Sequence, residues 1–379
     1  MKLLPLLLFW CFWYLNFSYR TAISPILPLM EDSLSLSHGA AAGFFTSLSV
    51  GYGTSMLFAS RLVSTWGCKR TVVSGFVFTG LIVFCLQWME GYLALHVLFF
   101  LLGGGLGTYL PSILPIITET YDPVHWGKAI GIHDSAASVS IFSVPVLVTL
   151  GLRFLTWKKI LLFLPVASFL LLIPFWNLAV EPKREKKEGG HRFAALLGRR
   201  SVWIISILWI FPAAANLGVY TILPLFLIKE RGIEFQFANS ILGLSRIGGI
   251  VAPLSVGFLV DRCGYQKMLK WSLLLTGLST AGLSLASGLV ETVVALVLQA
   301  TFSLSFFPVG LAAVSRLTDL SERSMVTGIA IAAGVFFGMG AAPFVLGVIA
   351  DHSSFRAGIL GLGVLTAFSS FGIRFLKET

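Results

Sequence analysis

Twelve long apolar stretches constrain this chain more than any other feature of its sequence. A helix needs about 20 predominantly apolar residues to cross the roughly 30 Å of a bilayer's hydrocarbon core. The 379 residues are 56% hydrophobic and 12% charged, whereas soluble domains devote about a quarter of their residues to charge. We therefore predict an all-α membrane protein with twelve transmembrane helices. The predicted spans are residues 3–30, 40–62, 71–90, 92–117, 127–151, 160–180, 202–228, 238–260, 269–287, 290–314, 325–350 and 356–376.

The basic residues indicate the topology of these spans. The net charge of +10 does not favour nucleic acid as a partner, because nucleic-acid-binding residues cluster on a solvated face and these lie between apolar stretches. Cytoplasmic loops are enriched in Lys and Arg. With a cytoplasmic N-terminus, 19 of the 27 Lys and Arg residues lie on the cytoplasmic side and six lie outside. We expect both termini to be cytoplasmic, in a protein of the cytoplasmic (inner) membrane.

The N-terminus and the cysteines indicate neither processing nor a metal site. Met1-Lys2 followed by apolar residues resembles a signal peptide, but the apolar run continues to Met30 without a convincing small-residue cleavage site. We expect an uncleaved first span. The four cysteines lack the paired spacing of zinc ligands or of a disulfide framework. We predict free thiols, no metal and no cofactor.

An internal repeat divides the spans into two halves. Three short segments recur at offsets of 196 or 197 residues, although overall identity between the halves is low. Any one match would carry little weight, whereas three in register argue for a duplicated six-helix unit. The matching pairs are Ile26-Leu27-Pro28-Leu29 with Ile222-Leu223-Pro224-Leu225, the loops 61–70 and 258–267, and Gly131 with Gly328.

A charged stretch separates the two halves. It lies between the sixth and seventh spans and is the one long polar stretch of the sequence. We predict an N-terminal six-helix bundle at 1–180, a cytoplasmic linker at 181–200 and a C-terminal six-helix bundle at 201–379. Two parallel repeats with a substrate site between them are typical of secondary transporters.

The loop after the eighth span carries the most specific local signal. Its sequence from Gly257 to Lys267 has a glycine followed by Asp-Arg-x-Gly and a basic residue. With this loop and its two six-span halves, the chain resembles the major facilitator superfamily over its whole length. The resemblance implies that four residues help to hold one state of an alternating-access cycle at the cytoplasmic gate: Gly257, Asp261, Arg262 and Gly264. Loop charge that only orients the helix is the alternative for Asp261 and Arg262.

Departures from the family's pattern bear on function. Ser64 and Thr65 replace the Asp-Arg pair in the N-terminal copy of the loop, so we expect an asymmetric gate. Phe100 stands near the place of the fourth-span arginine that many proton antiporters carry. The fifth span also lacks the glycine-proline signature of drug antiporters. These absences disfavour multidrug efflux.

Only three charged residues fall well inside the predicted spans: Arg20, Asp134 and Arg246. Each costs about 2.5–3.5 kcal/mol at mid-membrane unless it has a partner or a water-filled cavity. At about 1.5 Å per residue, Arg20 and Arg246 lie at similar depth, one in each half of the repeat. Guanidiniums offer planar forks of donors, so we predict that these two clamp a carboxylate or phosphate. The alternative is that Arg246 pairs with Asp134 or with helix carbonyls and only holds the halves together.

Asp134 and its neighbour His133 are candidates for proton coupling. An aspartate that gains an arginine partner releases a proton, and one that loses that partner takes a proton up. His133 can relay the proton, because imidazole titrates near physiological pH. The alternatives are a helix-packing ion pair for Asp134 and a structural role for His133.

Neutral polar residues extend the predicted substrate site. Those of the first span share one helical face with Arg20 at four-residue spacing. Those of the seventh span stand at the corresponding positions of the repeat. We expect them to select a substrate's hydroxyls or amides, although hydrogen bonding between helices is an equally good account. The predicted set is Asn16, Ser24, Asn216, Tyr220 and Gln299.

We predict a secondary active transporter that moves a small organic anion across the membrane by alternating access, in symport with protons. The expected partners are a small anionic molecule, protons and the lipid bilayer, and the expected state is monomeric. An exporter of amphipathic drugs or metabolites is the first alternative, and a transporter-like sensor that signals to a partner is the second. The sequence contains no catalytic triad, metal cluster or phosphate loop, so we do not expect an enzyme.

Overall fold

Helices dominate the structure. The computed structural model describes residues 3–182, 196–249, 256, 259–260 and 262–376. Within these ranges the helices fall into twelve successive stretches and no strand occurs, which confirms the predicted all-α fold with twelve spans. Among the described helical stretches, eight are long and apolar enough to cross a membrane.

The spans are numbered by their order in the chain. The helices of the first six are Leu3–Thr21 with Ile23–Leu34, His38–Trp66, Cys68–Leu86, Tyr92–Gly107 with Tyr109–Thr120, Trp126–Gly151, and Trp157–Leu161 with Phe163–Leu178. The helices of the last six are Arg200–Ala213 with Val219–Leu225, Phe235–Leu244, Tyr265–Leu285, Leu289–Leu317, Leu320–Ala333 with Ala342–His352, and Phe355–Ser369. The seventh and eleventh spans also contain π-helical segments, which are Ala214–Gly218, Phe226–Glu230 and Gly334–Ala341.

Contacts along the chain define two compact units. The first comprises Met1–Leu36 and Phe44–Lys186, and the second comprises Ser37–Gly43 and Lys187–Thr379. The short segment Ser37–Gly43 therefore groups with the second unit, although its helix continues into the first. The exact limits of the bundles and of the linker at 181–200 stay a prediction.

Glycines bring the fourth span close to its neighbours in the first unit. A Cβ atom on Gly103 would collide with the carbonyl oxygen of Leu48 in the second span. One on Gly105 would lie 2.9 Å from the carbonyl oxygen of Gly75 in the third span. A Cβ atom on Gly104 would meet nothing within 4 Å. Gly103 and Gly105 therefore allow close contact with the backbones of neighbouring spans, whereas a side chain at position 104 would face open space.

Gly103→Ala is expected to destabilise the protein, whereas Gly104→Ala is not. The added methyl group at position 103 has to move the second span, and such overpacking costs about 1–3 kcal/mol. At position 104 it enters open space and replaces a poor helix former by a good one. Thermal unfolding of the two purified variants in one detergent gives the comparison. Equal melting temperatures for the two variants would contradict this account of the contact.

Corresponding glycines begin the third and ninth spans. Gly67 has φ +89° and Gly264 has φ +80°, both in the left-handed region that favours glycine. Each directly precedes a helix, Cys68–Leu86 in one case and Tyr265–Leu285 in the other. The two positions are related by the same 197-residue offset as the sequence repeat. The repeat is therefore visible in backbone conformation at both loops.

Carboxylates bind the N-terminal ends of several helices. Glu181 accepts from the first backbone N–H groups of the third span at 2.6 and 3.0 Å. Asp351 does the same for the second span at 2.7 and 2.9 Å, and Glu230 for the twelfth at 2.5 and 3.3 Å. Negative charge is favourable there because the helix dipole and the free N–H groups both attract it. Three of the 17 acidic residues of the chain thus stabilise helix N-termini.

In the second unit, the seventh span packs against the eleventh through a π-helical segment of each span. A Cβ atom on Gly218 would lie 2.7 Å from the carbonyl oxygen of Gly338. Nearby, Trp209 and Phe306 meet edge to face in the hydrophobic core, with ring centroids 5.5 Å apart. π-helical turns occur frequently at functional sites. The one in the seventh span contains Asn216.

Candidate functional site

Arg20 is buried in the first unit between two aromatic rings. It belongs to helix Leu3–Thr21 and is 8% exposed. Its guanidinium carbon lies 4.0 Å from the ring centroid of Phe17 and 4.6 Å from that of Tyr52 in the second span. Cations are attracted to aromatic faces within about 6 Å. The two rings therefore stabilise the positive charge without neutralising it.

The hydrogen bonds of Arg20 leave part of its donor capacity unused. Nη2 donates to Oδ1 of Asn16 at 3.4 Å, and Nδ2 of Asn16 donates to the carbonyl oxygen of Leu106 at 2.9 Å. The buried Nε of Arg20 has no hydrogen-bond partner among the described residues. Over the same residues, Arg20 forms no ion pair. Asn16 thus connects Arg20 to the fourth span and leaves its charge uncompensated.

Arg246 has a similar environment in the second unit. It is 2% exposed, its Nη1 donates to Oδ1 of Asn216 at 2.7 Å, and its guanidinium carbon lies 4.9 Å from the ring centroid of Tyr220. In the part of the chain that the structure describes, Nε and Nη2 are buried without a hydrogen-bond partner and the guanidinium has no ion pair. These two nitrogens form one edge of the guanidinium. Arg246 therefore presents an unused two-donor fork.

The two arginine environments contain the same groups on exchanged spans. In the first unit the arginine lies on the first span and the tyrosine, Tyr52, on the second. In the second unit the tyrosine, Tyr220, lies on the first span of the half and Arg246 on the next. An asparagine from the leading span binds the guanidinium in both. Each unit therefore has an arginine, a tyrosine and an asparagine in contact, although the three do not occupy corresponding positions of the sequence repeat.

The structure brings most of the predicted polar residues to these two arginines. Asn216 and Tyr220 contact Arg246 directly. Gln299 is fully buried, and its Nε2 donates to the carbonyl oxygen of Ala215, the residue before Asn216. Oε1 of Gln299 has no hydrogen-bond partner among the described residues. In the first unit Asn16 binds Arg20.

Ser24 lies beyond a change of helix. Helix Leu3–Thr21 ends shortly before it, and Ser24 is fully buried near the start of helix Ile23–Leu34. The backbone N–H of Ala22 still donates to the carbonyl of Ser18 at 2.9 Å. Ser24 therefore remains about one helical turn from Arg20 along the chain.

The predicted gate lies only partly within the described residues. Gly257 and Asp261 lie outside them. Arg262 is exposed, and Gly264 has the positive φ given above. The gating role of this loop stays a prediction.

His133 and Asp134 form a hydrogen-bonded pair in the fifth span. Nδ1 of His133 lies 3.0 Å from Oδ1 of Asp134. His133 is fully buried, whereas the side chain of Asp134 is 57% exposed. The imidazole stacks on Trp13, with centroids 5.4 Å apart, and its Nε2 lies 3.2 Å from the hydroxyl of Tyr109. Within the first unit, Asp134 therefore pairs with His133 and not with Arg20.

The sequence analysis did not identify Tyr52 or Tyr109 as site residues. Both are tyrosines in apolar spans, and such residues most often serve packing. Their partners, Arg20 and His133, lie on other spans. Spacing along one helix cannot reveal such contacts. The only available signal was the low frequency of tyrosine in this chain, with 8 in 379 residues.

Comparison with known proteins identifies the family of the chain. A family model described as Major Facilitator Superfamily matches residues 8–294 and 241–379. The chain belongs to the Major Facilitator Superfamily. This membership confirms the predicted fold of twelve transmembrane helices in two six-helix bundles, and it makes the chain an integral membrane protein and a secondary transporter.

Individual members of the Major Facilitator Superfamily resemble the whole chain. A hexuronate transporter of Bacillus subtilis (strain 168) is 22% identical over 394 residues, which cover 96% of this chain and 92% of that protein. A solved bacterial homologue of the human lysosomal transporter Spinster has a TM-score of 0.84 at 14% identity and covers 98% of this chain and 96% of that one. A D-xylose-proton symporter has a TM-score of 0.81 at 16% identity, with 100% and 99% covered. The two structural likenesses show the fold alone.

Proposed function

We propose that this protein is a proton-coupled transporter of a small organic anion, which Arg20 and Arg246 recognise by its charge. The observation that carries the proposal is that each unit buries one guanidinium without an acidic partner among the described residues. Burying an uncompensated charge is strongly unfavourable. An anionic substrate supplies the missing counter-charge in each case.

The donor geometry favours a carboxylate. Nε and Nη2 of Arg246 point the same way, and such an edge matches the two oxygens of a carboxylate. A hexuronate is a sugar that carries one carboxylate and several hydroxyls. The hexuronate transporter of Bacillus subtilis matches 96% of the length of this chain. We propose that the amide and hydroxyl groups beside the arginines bind the substrate's hydroxyls. These groups belong to Asn16, Ser24, Asn216, Tyr220 and Gln299.

The His133–Asp134 pair is the proposed carrier of the coupled proton. Its imidazole is buried and its carboxylate is accessible, so the carboxylate can exchange a proton with water and the imidazole can hold it. One solved structure with the same fold is a D-xylose-proton symporter. Symport with protons is therefore the coupling that we propose.

The proposal also covers the topology, the oligomeric state, the linker and the gate of the transporter. We propose a cytoplasmic (inner) membrane location with both termini cytoplasmic, because the basic residues predominate on that side. We also propose a monomer, with 181–200 as the linker between bundles at 1–180 and 201–379. The proposed cytoplasmic gate consists of Gly257, Asp261, Arg262 and Gly264.

A binding screen tests the anion proposal directly. Carboxylates including glucuronate, phosphate esters and cationic dyes are added to the purified protein, and the shift in melting temperature is recorded. A ligand that binds only the folded state raises that temperature. We expect a shift with carboxylates in the wild type and none in Arg20→Gln.

The exposed Arg61 provides a matched control for the screen. Arg61→Gln removes the same charge from the same unit and should respond to carboxylates as the wild type does. Stabilisation by cationic dyes but not by anions would contradict the proposal and favour an exporter of amphipathic compounds.

A further inference from the structure

The hydroxyl of Tyr109 lies between a main-chain carbonyl and the imidazole of His133. Its oxygen is 3.0 Å from the carbonyl oxygen of Phe9 and 3.2 Å from Nε2 of His133. Tyr109 is 1% exposed and His133 is fully buried. Water therefore cannot easily replace either hydrogen bond.

The proton positions in this chain of contacts can be counted. A carbonyl oxygen carries no hydrogen, so the Tyr109 hydroxyl must donate to Phe9. The oxygen of Tyr109 then has to accept from His133, which requires a hydrogen on Nε2. At the other side of the ring, Nδ1 lies 3.0 Å from Oδ1 of Asp134. That contact also needs a hydrogen, carried by either Nδ1 or Oδ1.

These contacts require two hydrogens on the His133–Asp134 pair, one on Nε2 and one between Nδ1 and Oδ1. A neutral histidine beside an ionised aspartate carries only one, so the pair must bind one further proton. A neutral histidine with its hydrogen on Nε2 would turn the lone pair of Nδ1 towards the carboxylate of Asp134, which is repulsive. A neutral histidine with its hydrogen on Nδ1 would satisfy Asp134 but turn a bare Nε2 towards Tyr109. The hydroxyl can serve that nitrogen only if it gives up its bond to Phe9.

We propose that Tyr109 is a positioning residue which makes the His133–Asp134 pair bind one proton, because it disfavours the Nδ1–H tautomer of neutral His133. The inference deepens the proposed proton coupling and rests on it for its role in transport. The tautomer itself depends only on the hydrogen bonds of the first unit. Its test is therefore independent of the substrate.

Among the described residues, no other charged group forms a hydrogen bond or ion pair with His133 or Asp134. Besides Tyr109 and Asp134, the titratable group near this cluster on the packed first span is Cys11. Thiols and phenols of ordinary acidity are neutral below about pH 8. In the described residues, no lysine or arginine forms a hydrogen bond or ion pair with His133 or Asp134. Tyr109, His133 and Asp134 therefore determine where the proton of the pair is held.

The ¹⁵N resonances of the histidine rings test the proposal. The full chain with ¹⁵N-labelled histidine is placed in lipid nanodiscs and titrated from about pH 5 to pH 9, and His133→Gln assigns the signals of His133. In the wild type we expect the neutral ring to carry its hydrogen on Nε2. In Tyr109→Phe we expect the neutral ring to carry it on Nδ1.

Two results would overturn the proposal. One is an unchanged tautomer of the neutral ring in Tyr109→Phe. The other comes from Asp134→Asn, which keeps Tyr109 and serves also if Tyr109→Phe does not fold. An asparagine amide can donate to Nδ1, so the neutral ring in that variant should keep its hydrogen on Nε2. Hydrogen on Nδ1 there would show that Tyr109 does not control the ring.

Discussion

Arg246→Gln is expected to abolish carboxylate binding while the protein stays at least as stable as the wild type. Removing one partner of a buried charge pair costs about 2–5 kcal/mol, which corresponds to a loss of affinity of roughly thirtyfold or more. Without substrate, however, Arg246 is a buried charge whose Nε and Nη2 have no hydrogen-bond partner among the described residues. Its removal takes away a desolvation cost, so the melting temperature should not fall.

Arg246→Lys separates charge from geometry at the same position. Lysine keeps the charge but has no planar edge with two parallel N–H groups. We expect it to lose at least tenfold in affinity for a carboxylate, with a smaller loss for chloride or other spherical anions. Equilibrium binding and thermal unfolding of both variants give the two readouts.

Arg316→Lys is the matched control for that substitution, because Arg316 is exposed near the end of helix Leu289–Leu317. It should bind carboxylates as the wild type does. Wild-type affinity in Arg246→Lys would rule out recognition through the fork. A large fall in melting temperature in Arg246→Gln would instead indicate that Arg246 holds the second unit together.

The fold was predictable because membrane helices follow from the lengths of apolar segments. The bilayer imposes one minimum length and one class of structure, so hydropathy alone located twelve spans. Breaks within spans depend on contacts with neighbours. The interruption near Ala22 and the π-helical segment Ala214–Gly218 were not predicted, although Pro212 precedes the latter and removes one backbone N–H.

Spacing along the chain predicted contacts of the candidate site only where the residues share one helix, while the repeat added Asn216 and Tyr220 to the predicted set. Asn16 with Arg20, and His133 with Asp134, lie within four residues of each other, and spacing was enough to group them. The contacts of Arg20 with Tyr52, and of His133 with Tyr109, join different spans. They depend on how closely the helices approach and on how each helix is rotated about its axis. Composition and periodicity contain no information on such contacts.

The same limit applies to the partner of Asp134, for which an arginine was one of the alternatives. Depth along the helix axis placed the two arginines at similar depth and Asp134 nearer the cytoplasmic side. Depth does not indicate how each helix is rotated about its own axis. In the structure Asp134 binds the residue beside it, and Arg20 turns to Phe17 and Tyr52. Within the first unit, Asp134 therefore has His133 as its partner, whereas Arg20 has no acidic partner among the described residues.

Asp134→Asn is expected to uncouple transport from the proton gradient. In liposomes that contain the purified protein, an inward pH gradient should drive accumulation of labelled glucuronate by the wild type and not by the variant. Exchange of labelled for unlabelled glucuronate in the absence of a gradient should continue. The reason is that an asparagine can hydrogen-bond His133 but cannot carry the proton that the pair shares.

Asp122→Asn controls for the loss of a negative charge from the same unit, since Asp122 is exposed just before the fifth span. It should accumulate substrate as the wild type does. If Asp134→Asn still accumulated substrate, the coupled proton would have to travel by another group. If it lost exchange as well, Asp134 would be required for the conformational cycle or for binding. Only loss of accumulation with retained exchange assigns the proton to the His133–Asp134 pair and leaves recognition of the anion to the arginines.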